Sequence, residues 1–200
     1  MNSFYSEDEL RELGFMSIGH DVLISKKASF YGIGNMEIGN NVRIDDFCFL
    51  SGNIKLGSYI HIAVGCILYG SVEGIVMENF SGLSPRVTIH ADSDDYSGNS
   101  LTNPMTSADF KQIRHAAVYL RKHVIIGSGS TILPGVDIGE GCAIGAMSLV
   151  STSTKPWTIY AGIPCKEIKE RSKRLLELEQ QFMMRVHAKD SETELTTMTR

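Results

Sequence analysis

A chain of 200 residues with 19 Lys and Arg against 23 Asp and Glu carries a formal charge of −4, which argues against a basic face that holds nucleic acid. With 42% hydrophobic and 21% charged residues it has the balance of an ordinary globular domain. No apolar run approaches the roughly 18 residues of a membrane span, and the acidic start MNSFYSEDEL lacks a signal-peptide core, so no membrane insertion and a cytoplasmic location are expected.

Residues 1–16 read as a helical cap. Ser6 followed by Glu9 is a capping box, and Leu10 and Leu13 give the short helix an apolar side. Its expected job is to cover the open end of the neighbouring domain, because an exposed strand edge invites aggregation.

From residue 17 to about 155 the chain keeps a beat of six. Ile18, Ile24 and Phe30 form one group, followed by Ile38, Ile44 and Leu50, then Leu56, Ile62 and Leu68, then Met77, Leu83 and Ile89. Leu120, Ile126, Ile132, Ile138, Ile144 and Val150 then run unbroken. This interval is neither the strand period of two alone nor the helical 3.6, and marks a repeat architecture. Extra residues fall only after a third hexad, so the pattern predicts a prism of three short strands per turn, extruding its insertions at one corner. A single hexad cannot bury its anchor, whereas stacked turns share a core in which each Leu or Ile contributes about 1.5 to 3 kcal/mol.

The residue four after each anchor is small or β-branched almost throughout: Val22, Ala28, Val42, Cys48, Ile60, Cys66, Val87, Val124, Ser130, Val136, Cys142 and Ser148. A narrow interior corner requires that. Three of the four cysteines fall there, and none has CxxC spacing, so Cys48, Cys66, Cys142 and Cys165 are expected as reduced thiols without a metal. Glycine at 19, 39, 57, 127, 139 and 145 directly follows an anchor, where permissive backbone angles are expected.

One long insertion, 91–117, breaks the beat and carries Asp92, Asp94, Asp95, Tyr96, Asn99, Asn103, Arg114 and His115. Loops of this size in a compact domain are usually functional. After the last coil, 156–186 is expected to end in a helix over about 166–185, and the polar stretch 187–200 to be a disordered tail.

The stretch IIGSGSTILPGVDIGEGCAIGAMSLVS followed by YAGIPCKEIKE closely resembles the hexapeptide-repeat acyltransferases, and the likeness spans roughly residues 15–170. It implies a mainly all-β chain: a left-handed parallel β-helix of about six coils, with a short N-terminal helix, one extruded loop and a C-terminal helix. It also implies acetyl-CoA as co-substrate and a homotrimer with active sites between subunits. Left-handedness and trimers come from the resemblance, not from the beat. The galactoside and maltose acetyltransferases of this superfamily carry a catalytic His at the start of the long loop, and Asp94 stands at that position here. The texts SDDYSGNSLTNP, FYSEDELRELGF and HDVLISKKASFYG instead resemble the N-acetyltransferases of nucleotide-linked 4-amino-4,6-dideoxy sugars.

The chemistry agrees with that second group. A thioester is already activated, and a sugar hydroxyl needs a general base, whereas an amine needs little beyond deprotonation. Asp94 or Asp95 can attract and orient an ammonium, and His90 is the second candidate base. Tyr96 and Asn99 could bond sugar hydroxyls or merely brace the loop, and the two aspartates could equally be a solvated loop tip held by local turn bonds. On the donor side the resemblance places the Ser128 N–H, after Gly127, near the thioester oxygen, and the Ala146 backbone beside the pantetheine arm. It also assigns Lys166 and Lys169 to the CoA phosphates. A further basic position of the family falls on Thr152. The expected function is N-acetylation of a nucleotide-activated amino sugar for surface polysaccharide such as O-antigen. The rivals are a sugar O-acetyltransferase using His90 or His115, and a scaffold or zinc protein using His90, His115 and His123, whose spacing does not match the β-helix carbonic anhydrases.

Overall fold

The computed structural model describes residues 3–198, with side chains described through residue 188. Contacts divide the chain into a body, residues 1–170, and a second unit, residues 171–200.

The N-terminal segment closes the first coil as its sequence predicts. Helix α1, Glu7–Glu12, is capped reciprocally: the Glu9 amide donates to Ser6 Oγ at 3.3 Å and the Ser6 amide to Glu9 Oε2 at 2.7 Å. Leu10 is buried, and Tyr5, Leu13 and Phe15 pack on the same core. The Tyr5 amide donates to the Ile24 carbonyl at 2.9 Å, covering a backbone edge that would otherwise be open.

The body is a parallel β-helix. Three sheets form its faces, each built on six stacked parallel strands contributed one per coil, and the second continues into two further strands, Thr158–Ala161 and Lys166–Glu170. The first sheet runs from Ser17–Ile18 to Asp137–Ile138, the second from Leu23–Ile24 to Ala143–Ile144, and the third from Ser29–Tyr31 to Leu149–Val150. Anchors stack on anchors: Ile18 pairs Ile38, Ile44 pairs Ile62, and Leu68 pairs Ile89. The long insertion leaves this register intact, with Met77 beside Leu120 and Ile89 beside Ile132. Sixteen of the eighteen anchors are buried, and only Ile18 and Phe30 of the first coil are half-exposed. The corner positions point inward too, and Cys48, Cys66 and Cys142 are buried free thiols. Cys48 Sγ donates to the Ala63 carbonyl and Cys66 Sγ to the Ser84 carbonyl, each at 3.2 Å.

The glycine expectation is corrected. Gly39 and Gly127 do not take positive φ; the left-handed residues lie two positions later, at Asn41 (φ 56), Phe80 (φ 60), Arg86 (φ 60), His123 (φ 62) and Met147 (φ 55). What requires glycine after an anchor is close approach between coils. A Cβ on Gly39 would stand 2.5 Å from the Gly57 carbonyl oxygen, and one on Gly127 2.4 Å from the Ala146 nitrogen. Non-glycine residues bear the left-handed turns because their side chains stack along the outer edge: the rings of Tyr59 and Phe80 lie 4.7 Å apart, and those of Phe80 and His123 5.3 Å.

The C-terminal region also departs from expectation. Lys166–Glu170 is not the start of a helix but a strand, antiparallel to Thr158–Ala161 and extending the second sheet, with Ala161 opposite Lys166. Gly162, at φ +105, and Pro164 form the turn between them. Helix formation waits until α2, Arg174–Met198. That helix runs through most of the stretch 187–200 expected as a disordered tail; the segment has no Gly or Pro and is supplied with Ala, Lys, Glu and Leu. Residues 199–200 lie outside the described ones. Among the described residues no helix is long and apolar enough to cross a membrane.

Candidate active site

The insertion leaves the third sheet after Ile89 and is pinned at its base. Asp92–Ser93 and Arg114–His115 form a two-stranded antiparallel ladder, with Ser93 opposite Arg114. The Ala116 amide donates to the Ala91 carbonyl at 2.9 Å, and His115 Nδ1 lies 2.9 Å from Ser71 Oγ on the preceding corner. A rigid neck therefore carries a loop that turns back over the outer face of the third sheet.

Between loop and sheet lies a cleft of about 1100 Å³. Tyr69, His90, Leu133, Leu149 and Ser151 form its floor, and residues 92–96 and 112–114 its wall. His90 is placed by stacking. Along the outer face the rings of Tyr31, Phe49, Tyr69 and His90 follow one another at 5.1, 5.4 and 5.1 Å. Burial lowers the His90 pKa from its ordinary value, against the opposing pull of Asp92, so the imidazole is neutral at neutral pH.

Three of the four acceptor candidates line this cleft, and they differ in their commitments. Asp95 is held by its own loop. Its carboxylate accepts from the Ser97 amide at 2.8 Å and from Ser100 Oγ at 3.0 Å, and hydrogen bonds from Ser97 above all hold its pKa at about 2. Asn99 bonds Ser97 Oγ through its side chain at 2.8 Å and does not line the cleft. Tyr96 is 94% exposed on the cleft rim. Among these candidates Asp94 is the carboxylate that lines the cleft exposed and with no hydrogen bond or ion pair to any described residue; the neighbouring Asp92 carboxylate, half-buried on the same wall, makes none either.

The donor candidates are elsewhere. Gly127, Ser128 and Ala146 lie on neighbouring coils at the opposite edge of the third sheet, and none lines the cleft. There the coils approach closely over small residues, and the Ser128 and Ala146 amides donate to no other backbone group among the described residues. Sequence reasoning missed Ser84, which occupies the same column one coil before Gly127. Its amide donates to the Ile126 carbonyl at 2.9 Å while its hydroxyl bonds to no described residue. The signal was a hydroxyl after an anchor where the next two coils have only glycine. Lys166 and Lys169 are exposed on the last strand without ion pairs among the described residues, whereas Lys155 Nζ lies 3.1 Å from Glu167. The histidines of the zinc alternative are not gathered: His115 is tied to Ser71 and His123 lies in the edge stack. No group of three His, Cys, Asp or Glu among the described residues could hold a metal.

Comparison with known proteins brings this geometry together. The bacterial transferase hexapeptide (six repeats) family matches residues 117–152. The dTDP-4-amino-4,6-dideoxy-D-glucose acyltransferase of Escherichia coli is 47% identical over 90% of this chain and 95% of its own length. AntD, an N-acyltransferase from Bacillus cereus, is 51% identical. Its S84C variant, solved with dTDP-4-amino-4,6-dideoxyglucose and coenzyme A, superposes with a TM-score of 0.90 over 92% of this chain and 98% of that one. AntD with dTDP and 3-hydroxybutyryl-CoA gives 0.92 over 94% and 100%. A D94N variant of AntD has been solved with dTDP and coenzyme A.

Proposed function

The chain belongs to the hexapeptide-repeat acyltransferases, and from that premise we propose that it transfers an acetyl group from acetyl-CoA to the amine of a nucleotide-linked amino-deoxy sugar, of the dTDP-4-amino-4,6-dideoxyglucose kind. The observation that carries this reading is the Asp94 carboxylate, exposed in the cleft with no hydrogen bond or ion pair among the described residues, in the same cleft as the neutral His90 imidazole. A carboxylate without a cationic partner suits an ammonium-bearing acceptor. The ligands of AntD support the same acceptor class, and this chain has Ser84 and Asp94 at the numbers substituted in that relative.

Asp94 draws in and orients the sugar ammonium, which gives up one proton as it turns toward the thioester; His90, neutral and on the cleft floor, is the group that can take it. The free amine then attacks the thioester carbonyl. The Ser128 N–H, uncommitted to another coil, stabilises the oxygen of the tetrahedral intermediate. Collapse breaks the carbon–sulfur bond, and the second amine proton leaves with the thiolate to give amide and free CoA. Holding both reactants in line can supply about 7 to 11 kcal/mol of the barrier. Lys166 and Lys169 act as point charges for the CoA phosphates.

One chain keeps the loop and the glycine-lined slot on two different edges of one sheet. A homotrimer in which the loop edge of one protomer meets the slot of the next would complete the site. The setting is cytoplasmic synthesis of an activated sugar for O-antigen or another surface polysaccharide.

The test pairs substrates. With acetyl-CoA or 3-hydroxybutyryl-CoA as donor and dTDP-linked 4-amino or 4-hydroxy sugars as acceptor, release of CoA is expected with the amino sugar alone. Turnover with the hydroxy sugar alone favours the second reading, a sugar O-acetyltransferase, for which the free, neutral His90 ring is the supporting observation. Failure to turn over either sugar or to bind CoA returns the chain to a scaffold.

A further inference from the structure

The acceptor just described brings two opposite charges into the cleft: an ammonium on the sugar ring and a diphosphate that links the ring to its nucleoside. The cleft wall carries three carboxylates, Asp92, Asp94 and Asp95, which would repel the diphosphate wherever it lay unanswered. Among the described residues Arg114 is the one lysine or arginine lining the cleft. Its guanidinium makes no hydrogen bond or ion pair with any of them, although carboxylates share the same wall. Two other arginines of the body are committed: Arg121 lies 2.6 Å from Asp137 and 3.0 Å from Glu78, and Arg43 lies 2.7 Å from Asp45.

The backbone of Arg114 is also fixed before any ligand arrives. It stands opposite Ser93 in the neck ladder, between His115, tied to Ser71, and the turn of Gly135, where a Cβ would come within 3.4 Å of Arg114 Nη2. Asp94 follows the ladder partner of Arg114 directly, so an uncommitted anion and an uncommitted cation flank the same stretch of wall. A planar guanidinium presents two parallel N–H groups that match phosphate oxygens, which a lysine point charge does not.

We infer that Arg114 is the diphosphate-binding residue of the acceptor cleft, so that a nucleoside diphosphate sugar is oriented from both ends, its phosphates on Arg114 and its amine toward Asp94. This rests on the nucleotide-sugar reading of the cleft. It makes Arg114 a specificity determinant for activated over free sugars.

The experiment is titration calorimetry of the intact protein and its Arg114→Ala and Arg114→Lys variants with dTDP, thymidine and CoA. The wild-type protein is expected to prefer dTDP to thymidine. Arg114→Ala should lose about ten- to a hundredfold in dTDP affinity, the range of a charge-assisted hydrogen-bonded contact, and leave thymidine and CoA affinities unchanged. Arg114→Lys should recover only part of the loss. In turnover the deficit should fall on KM for the nucleotide sugar rather than on kcat. Undiminished dTDP affinity in Arg114→Ala, or an equal loss for dTDP and thymidine, overturns this inference alone. Absence of dTDP binding by the wild-type protein overturns the nucleotide-sugar reading, and this inference with it.

Discussion

In the coiled body, many polar groups are answered by the coil above or below; beyond the neck of the loop, over residues 95–111, they are answered from within the loop. Asn79 Oδ1 accepts from the Ser58 amide on the preceding coil at 2.8 Å, and Arg121 bridges Glu78 and Asp137 on the coils either side of it. In the loop, Asp95 accepts from Ser97 and Ser100, and Asn103 Oδ1 accepts from the Met105 amide. The body is thus specified by stacking, and a change in one coil is passed to the next. The loop folds on local turns above a pinned neck, so it can hold uncommitted charges such as Asp94 and Arg114 without burdening the core.

The largest effect this contrast predicts is on the loop side. Asp94→Asn should lower kcat/KM by about a hundredfold or more, on the scale of a lost acid–base or orienting group. Thermal stability and CoA affinity should stay at wild-type values. A stability loss comparable to that of a core variant would show that the loop and body are coupled. Wild-type activity would demote Asp94 to loop structure.

The complementary change is in the body. Leu68 is fully buried between Leu50 and Ile89 in the third sheet. Leu68→Ala leaves a cavity that two neighbouring coils cannot both close, and should cost about 2 to 5 kcal/mol in chemical denaturation. The folded fraction should retain its activity. Loss of activity beyond the loss of folded protein would mean that core packing sets the cleft geometry directly.

The same contrast explains how much the chain alone reveals. The coils are legible because each anchor repeats one physical demand, burial against the anchor a turn away, and so is the capping box of Ser6 and Glu9. The loop announces itself by breaking the beat and by its polar residues, but which of Asp94, Asp95 and Asn99 is free depends on turn bonds within the loop. No periodicity encodes those. Lys166–Glu170 reads as helix because near-helical spacing of apolar residues looks alike in a strand laid on an open sheet edge. Ser84 and Arg114 gain meaning only through neighbours far along the chain, Gly127 for one and Ser93 for the other.

A smaller effect is expected where coils touch. Gly127→Ala places a Cβ 2.4 Å from the Ala146 nitrogen and 2.7 Å from the Gly145 carbonyl carbon, both backbone atoms that cannot swing aside. Parting the coils should cost about 1 to 3 kcal/mol. Because Gly127 adjoins Ser128, the donor slot should widen and KM for acetyl-CoA rise. Gly34→Ala is the control: its Cβ would meet nothing closer than the Gly14 carbonyl oxygen at 3.9 Å, and stability should be unchanged in the same assay. Equal costs for the two variants would remove close approach as the reason for glycine after an anchor.

The smallest effect concerns Asp95, and it separates a loop brace from a substrate ligand. Its pKa is about 2 in the folded loop, held down first by hydrogen bonds from Ser97, against an unfolded value near ~3.9. A depressed carboxylate pKa contributes order that is complete above the unfolded value and is lost as pH falls toward the folded one. Amide hydrogen exchange at Ser97 should therefore stay protected down to about pH 4 and lose protection from there through about 2. In Asp95→Asn the protection should be weak throughout and show no step in that window. Turnover of the amino sugar at neutral pH should remain within a few-fold of wild type, since the Asp95 carboxylate is already committed to Ser97 and Ser100. A collapse in turnover as deep as that of Asp94→Asn, with Ser97 protection intact, would return Asp95 to the substrate and leave the brace to its neighbours.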